Sequence, residues 1–506
     1  MRTNQLERAG CGVRHPIVFS TIAGLVACLF TSNLVAGPGD LASCTGLTSL
    51  HIPNTTITLA TYVVPTSALP GYCRVLATVA PQTDVEVRLP DGWQGRYLHL
   101  GGGMFDGSIP DLNYSIKSLG VNPVFNGFAV VGSNGGHRSS SFPGASFSTD
   151  KALTLNYARG ALEESDLVGK VAVATYYGTP AKYRYFAGCS NGGKNASVAM
   201  AGLGDDYDGV VAGAGVYGHS DEGTGGSDMS GVVAAWARNQ QEVPISAAKG
   251  ALVYAAQVAA CDTDDGIADG IIANPEACHF NPAVLSCSGA SNDGCLTDAE
   301  IQSVNTIRSD LKDSSGRVIG APYGLGNPAQ AAPSTGVLAN GFLAMAFRVP
   351  TFNAKTFNLD RDFSRVKTIL DNVYGMSGSV DGILRYLSHG KLIIYHGWDD
   401  MLGQPYGSTR FYEVINDRGG KLANNSRLYM FPGMGHCGGG VGADSADLIS
   451  GIVNWVENGV NPDDSLVASK FDSAGNVLFT RPLCAYPKSY QYHKGDPKEA
   501  QSYQCK

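Results

Sequence analysis

Four apolar runs that each break off into a glycine-rich loop constrain the fold of this chain more than any other feature of its sequence. The first, Val85–Leu100, reads as two strands about a turn at Pro90-Asp91-Gly92 and closes in Gly101-Gly102-Gly103. The others are Gly127–Gly132 before Ser133-Asn134-Gly135-Gly136, Tyr183–Ala187 before Gly188, and Lys391–Tyr395 before His396-Gly397. Short apolar runs bounded by glycine have the pattern of buried strands. Between them lie helix-like stretches such as Ala152–Tyr177, which ends at the stop signal Gly178-Thr179-Pro180. Strands alternating with helices predict an α/β fold, a mostly parallel sheet covered by helices. Ligands of such sheets bind beyond the carboxyl ends of the strands, where these loops fall.

One loop carries a nucleophile. Gly188-Cys189-Ser190-Asn191-Gly192 follows a strand and precedes the helix-like Lys194–Ala201, the G-x-S-x-G context of the α/β-hydrolase elbow. A serine on so sharp a turn is held in a strained backbone, which side chains at Gly188 or Gly192 would crowd. Its hydroxyl needs a base, and the base needs a carboxylate to fix its tautomer, in the chain order Ser, acid, His. Lys391–Tyr395 leads to His396-Gly397-Trp398-Asp399-Asp400, and Arg427–Phe431 leads to Pro432-Gly433-Met434-Gly435-His436-Cys437. His436 is therefore the expected base, because the rivals His137 and His396 precede the acid. Spacing leaves Asp399 and Asp400 both open as that acid. The oxyanion would be met by the backbone N–H of Asn191 and by one from the early glycine loop, with Gly102 the choice within it.

At 506 residues the chain exceeds one simple core, which stops growing near ~250–300 residues, so an insertion is expected. The rhythm breaks between 218 and 390, a Gly-, Ser-, Asp- and Asn-rich stretch with four cysteines. The expected organisation is a signal peptide at 1–36, an α/β-hydrolase domain in two parts, 37–217 and 391–506, and a lid insertion at 218–390. The signal peptide is read from Arg2, Arg8 and Arg14, the apolar Ile17–Phe30 and the small-residue site Leu34-Val35-Ala36. Secretion or a periplasmic location follows, with lipidation at Cys28 in Leu25-Val26-Ala27-Cys28 as the route to a membrane. A net charge of −8 without any basic run excludes nucleic acid as a partner. Cleavage after Ala36 would leave ten of the twelve cysteines, an even number suited to an oxidising compartment. Short separations favour Cys44–Cys73, Cys261–Cys278, Cys287–Cys295 and Cys484–Cys505. Cys189 and Cys437 remain, and a bridge between them would hold nucleophile beside base. Asn54, Asn113, Asn195 and Asn424 head glycosylation sequons for a host that glycosylates.

The insertion holds an acidic loop, Cys261–Ile271, in which Asp262, Asp264, Asp265 and Asp269 crowd together among glycines. Hard oxygen donors at this spacing suit a structural Ca²⁺. The EF-hand pattern is not met, since Ala273 stands where its glutamate belongs.

With these residues together, the chain resembles the tannase and feruloyl esterase family, which includes hydrolases of mono-hydroxyethyl terephthalate. The resemblance runs from about Cys44 to Cys505. It is carried by Gly188-Cys189-Ser190-Asn191-Gly192-Gly193, the Cys261–Ile271 loop, His396-Gly397-x-x-Asp400, Pro432–Cys437, and Arg481-Pro482-Leu483-Cys484-x-Tyr486-Pro487. It implies a serine esterase with the triad Ser190, Asp400 and His436 and the bridge Cys189–Cys437. It also implies calcium on Asp262, Asp265, Asp269 and the carbonyls of Ile267 and Ile271. A lid would cover the aromatic acid of a small ester substrate. In that lid Asn340-Gly341-Phe342 offers Phe342 as an aromatic wall, without an arginine just before it to hold a free terephthalate carboxylate. The activity implied is feruloyl esterase-like, with tannase, chlorogenate-type esterase or terephthalate monoester hydrolase as variants. A reading of another class is an idle, calcium-stabilised binding protein at the cell surface.

Overall fold

The computed structural model describes residues 41–67, 69–112, 119–120, 122–139, 145–219 and 223–506. The expected signal peptide, Cys28 and the sequon at Asn113 lie outside the described residues.

Seven strands precede the insertion: β1 (Thr55–Val63), β2 (Tyr72–Val79), β3 (Thr83–Pro90), β4 (Arg96–Leu100), β5 (Phe128–Ser133), β6 (Tyr183–Cys189) and β7 (Gly209–Gly213). A short hairpin, β8 (Leu311–Lys312) and β9 (Val318–Gly320), lies within it, and β10 (Lys391–Gly397) and β11 (Ser426–Phe431) follow. Nine of these form one sheet in the order β1-β2-β3-β5-β4-β6-β7-β10-β11. From β5 to β11 every pairing is parallel, and β1, β2 and β3 extend the β5 edge antiparallel. The fold is α/β, and the four glycine loops do follow strands. One pairing differs from expectation. Pro90-Asp91-Gly92 does not close a hairpin, because β5 sits between β3 and β4 and pairs with both. The turn is a crossover that starts the parallel part of the sheet.

Alternation along each strand divides the core into two layers. In β10, Leu392 and Ile394 point into the layer that holds Phe186, whereas Ile393 and Tyr395 point into the one that holds Tyr185 and Trp455. The helical stretch after residue 150 is two α-helices, Lys151–Leu155 and Ala161–Tyr177, joined by a π-helical turn at Asn156–Gly160. Such turns are frequent at functional sites. Here the turn carries Tyr157 toward the elbow.

The stretch 218–390 is mainly helical, with Met229–Asn239 and Ala331–Phe347 packed together. Its core is not closed on itself: Phe105, Phe147 and Tyr157 from the sheet domain belong to it. Phe105 and Phe342 stand 4.9 Å apart between ring centres. All five expected disulfides are present, which fits folding in an oxidising compartment. Among the described residues no helix is long and apolar enough to cross a membrane. Asn195 is buried in the helix after Ser190, so glycosylation there is excluded by packing.

Candidate active site

Ser190 lies between β6 and the helix Asn191–Gly202 with φ +63° and ψ −120°, a conformation costly for a residue with a Cβ. Close packing enforces it. A Cβ on Gly188 would come within 2.7 Å of the Gly192 backbone, and one on Gly101 within 2.6 Å of the Gly192 Cα. The early glycine loop therefore rests on the elbow, with Gly102 in contact with Gly192.

Asp400, wholly buried, lies just beyond β10 and His436 just beyond β11. Asp400 Oδ2 accepts from His436 Nδ1 at 2.6 Å, while Oδ1 accepts from the backbone N–H groups of Leu402 and Gly403, both at 2.7 Å. Asp399 points elsewhere, accepting from the Tyr254 hydroxyl at 2.8 Å, and burial pushes its carboxyl up to about 6. Geometry thus separates two carboxylates that spacing could not. Burial opposes ionisation of Asp400, but the charge of His436 and hydrogen bonds from His396 and His436 hold it far below the usual carboxylate range. Burial lowers the His436 pKa and Asp400 raises it, with a net rise above the ordinary value. The free ring nitrogen, His436 Nε2, is buried without a hydrogen-bond partner among the described residues. Ser190 and His436 line one cleft. The Cys189–Cys437 bridge, with Cα atoms 6.0 Å apart, ties the two catalytic loops together.

His396, a rival base by sequence, is buried behind the acid. Its Nε2 lies 3.0 Å from Asp400 Oδ2 and its Nδ1 2.8 Å from Ser408 Oγ. His137 instead packs on Phe147, 3.8 Å between ring centres.

Asn191 begins the helix and lines the cleft. Its side chain is held by Tyr157, whose hydroxyl donates to Asn191 Oδ1 at 3.0 Å and lies 2.9 Å from the Met104 carbonyl, and by the buried carboxylate of Asp106. Lys194 Nζ donates to the Tyr157 carbonyl at 3.1 Å and lies 4.2 Å from the centre of that ring. Burial pushes Asp106 up and Lys194 down, and each charge opposes the other's shift. Sequence reasoning missed Asp106, Tyr157 and Lys194. Lys194 was the visible one, four residues after the nucleophile and so facing the same way on the helix.

The remaining cleft wall comes largely from the insertion: Met229, Val232, Trp236, Leu338 and Phe342. Phe342 thus stands where an acyl-pocket wall was expected, 6.0 Å from Trp236 between ring centres.

The family model for tannase and feruloyl esterase matches residues 67–337 and 320–506. The chain belongs to this family. It is a carboxylic ester hydrolase, similar along 97% of its length, at 30% identity, to an uncharacterized esterase of Xanthomonas campestris pv. campestris, covering 94% of that protein. A probable feruloyl esterase of Arthroderma benhamiae is 29% identical over 90% of this chain and 86% of its own. In fold, the esterase matches the crystal structure of feruloyl esterase B from Aspergillus oryzae with a TM-score of 0.76 and 22% identity, over 92% of this chain and all of that one.

In the acidic loop of this esterase, Asp262 Oδ1 accepts from the N–H groups of Asp269, Gly270 and Ile271, and Asp265 Oδ1 from that of Ile267. Asp269 is paired with Arg481. Asp265 Oδ2 is buried without a partner among the described residues, and burial, with the nearby charges of Asp269 and Asp262, pushes its carboxyl up to about 6. Among the described residues no three His, Cys, Asp or Glu side chains converge tightly enough to cage a metal by themselves. An orphaned carboxylate oxygen beside two further carboxylates is nonetheless a donor set that a hard cation completes.

Proposed function

We propose that the esterase hydrolyses esters of phenolic and related aromatic acids through an acyl-enzyme on Ser190. The observation that carries this reading is that Ser190 and His436, the latter held by the buried Asp400, line one cleft walled by Trp236 and Phe342. His436 Nε2 takes the Ser190 proton as Oγ attacks the ester carbonyl, and Asp400 holds the Nδ1–H tautomer and offsets the imidazolium charge. The backbone N–H groups of Asn191 and Gly102 receive the oxyanion. The alcohol leaves with the proton from His436, and water, deprotonated by His436, releases the acid. Leu338 lines the cleft one helical turn before Phe342, which favours an uncharged ring over a terephthalate carboxylate.

Calcium would be held by Asp262, Asp265, Asp269 and the carbonyls of Ile267 and Ile271, and would supply charge neutralisation within the insertion. Export fits the five disulfides, to the medium or periplasm, with lipidation at Cys28 as the membrane-anchored variant. The test is initial hydrolysis rates for methyl ferulate, methyl gallate, chlorogenic acid and mono-hydroxyethyl terephthalate, with a Ser190→Ala control. Turnover of phenolic esters that is abolished in the control is expected. No turnover of any of the four, with calcium present and disulfides intact, would overturn the aromatic-acid substrate class.

A further inference from the structure

Apart from Ser190, His436 and Gln404, the polar side chains that line the catalytic cleft are committed within the protein. Ser227 Oγ donates to the Tyr217 carbonyl at 2.6 Å, and Tyr157, Asn191 and Lys194 hold one another and the early loop. Gln404 is different. It is 4% exposed, lines the cleft, and neither its Oε1 nor its Nε2 has a hydrogen-bond partner among the described residues. Behind it the Tyr323 hydroxyl, on a residue 1% exposed, faces the amides of both Gln404 and Asn239 without a well-formed bond to either. Asn239, 5% exposed, also has both amide atoms without a partner. Of the three, Gln404, on the loop after β10, lines the cleft, while Tyr323, on the loop after β9, and Asn239, at the end of Met229–Asn239, stand behind it. Buried polar groups are normally paired, and an unpaired set at a cleft is one that an incoming group can complete.

We propose that Gln404, with Tyr323 and Asn239 behind it, forms a polar subsite that binds a neutral hydroxyl on the aromatic ring of the substrate acid. This rests on the aromatic-ester reading of the cleft. Two amides and a phenol offer donors and acceptors together, which matches a hydroxyl that both gives and takes a hydrogen bond. A carboxylate would suit the set poorly, because the Asp400 charge already acts on Tyr323. The nearby cation, Arg238, spends its terminal nitrogens on the carbonyls of Thr306, Ser309 and Asp310 and leaves only Nε without a partner. Trp236 stands one helical turn before Asn239 and is fixed by its Nε1–H donating to the Leu402 carbonyl at 2.8 Å. A ring packed on Trp236 can therefore direct its hydroxyl toward the cluster.

A site that hydrogen-bonds a substrate hydroxyl rejects the analogue lacking it, since its own groups are then left unpaired. The experiment measures kcat/KM for two pairs, methyl cinnamate against methyl 4-hydroxycinnamate and methyl benzoate against methyl 4-hydroxybenzoate, with monomethyl terephthalate alongside. Wild type is compared with Tyr323→Phe and Gln404→Leu. In at least one pair the hydroxylated ester is expected to be favoured by about tenfold or more, with that ratio falling toward one in both variants. The ratio corrects for any loss of folded enzyme. An unchanged ratio in both variants, or a wild type indifferent to the hydroxyl, would overturn the subsite while leaving the esterase reading intact. Preference for the terephthalate carboxylate that is lost in the variants would overturn the hydroxyl assignment. Failure of the wild type on every aromatic ester would instead defeat the reading beneath it.

Discussion

Asp400 carries two histidines, and the hydrogen bonds assign each a tautomer. His436 donates from Nδ1, which leaves Nε2 as the base, and His396 donates from Nε2 while its Nδ1 accepts from the Ser408 hydroxyl. Both carboxylate oxygens are thereby saturated, each with two donors. His436 works only when neutral. Burial lowers its pKa and Asp400 raises it to a net value above the ordinary ~6.5. Activity should therefore fall as pH drops through a point above ~6.5, and an acid limb below that point in kcat/KM would contradict the assignment. His396 acts through Asp400 as a positioning residue. A lost hydrogen bond to a charged group is worth ~1.5–3 kcal/mol, so His396→Leu should lower kcat about 10- to 100-fold. KM should move little, and His396→Gln, which restores a donor, should recover part of the loss. A variant that changes only KM would place His396 in binding instead.

The helix Met229–Asn239, which supplies much of the cleft wall, begins on a pair of buried carboxylates. Asp228 caps it through the Gly231 N–H at 2.9 Å, and Asp371, on the π-helical turn Thr368–Val373, accepts from the Ser230 N–H and the Ser377 hydroxyl. Burial and the Asp228 charge push Asp371 up to about 8. An unfolded aspartate titrates near ~3.9, so between ~4 and ~8 the folded chain holds a proton that the unfolded chain has released. That contribution to stability is full at low pH and is lost as pH rises toward about 8. Asp371→Asn should flatten the fall in melting temperature between pH 5.5 and 8.5, measured by thermal unfolding, and an unaltered slope would remove Asp371 from the cause. None of this was legible in the sequence, because the two carboxylates are far apart in the chain and share no motif. The same holds for Asp106 beneath Asn191. What could be read were features whose cause is local: strands closing in glycine where a catalytic loop begins, and cysteines adjoining Ser190 and His436. β7 was missed because Gly209-Val-Val-Ala-Gly213 is short and flanked by glycine, and β1 because its threonines dilute the apolar pattern. The choice between Asp399 and Asp400 needed the turn itself, which sends one side chain to His436 and its neighbour to Tyr254.

The acidic loop of the insertion is fastened to the far end of the chain. Arg481 pairs with Asp269 and lies over the rings of Phe479 and Tyr503, at 4.7 and 4.4 Å, while Ile267 and Ala273 pack with Tyr490 and Tyr503. Two disulfides, Cys261–Cys278 and Cys484–Cys505, brace the two sides of this contact. A cation at Asp262, Asp265 and Asp269 would therefore act on the stability of insertion and C-terminal segment together, at a distance in sequence from the triad. Binding to the folded chain alone stabilises it by RT ln(1 + [L]/Kd), ~2.7 kcal/mol at a hundredfold excess over Kd, which for a protein of this size is a shift of a few degrees. Chelation of the intact, disulfide-bonded enzyme should lower its melting temperature by about that much, calcium should restore it, and magnesium, which demands a tighter octahedral cage, should not. Asp265→Asn, which exchanges the orphaned carboxylate for an amide, should melt at the same temperature with or without calcium. If the wild type is equally indifferent, the loop is held by Arg481 and its backbone hydrogen bonds alone, and calcium has no place in this esterase.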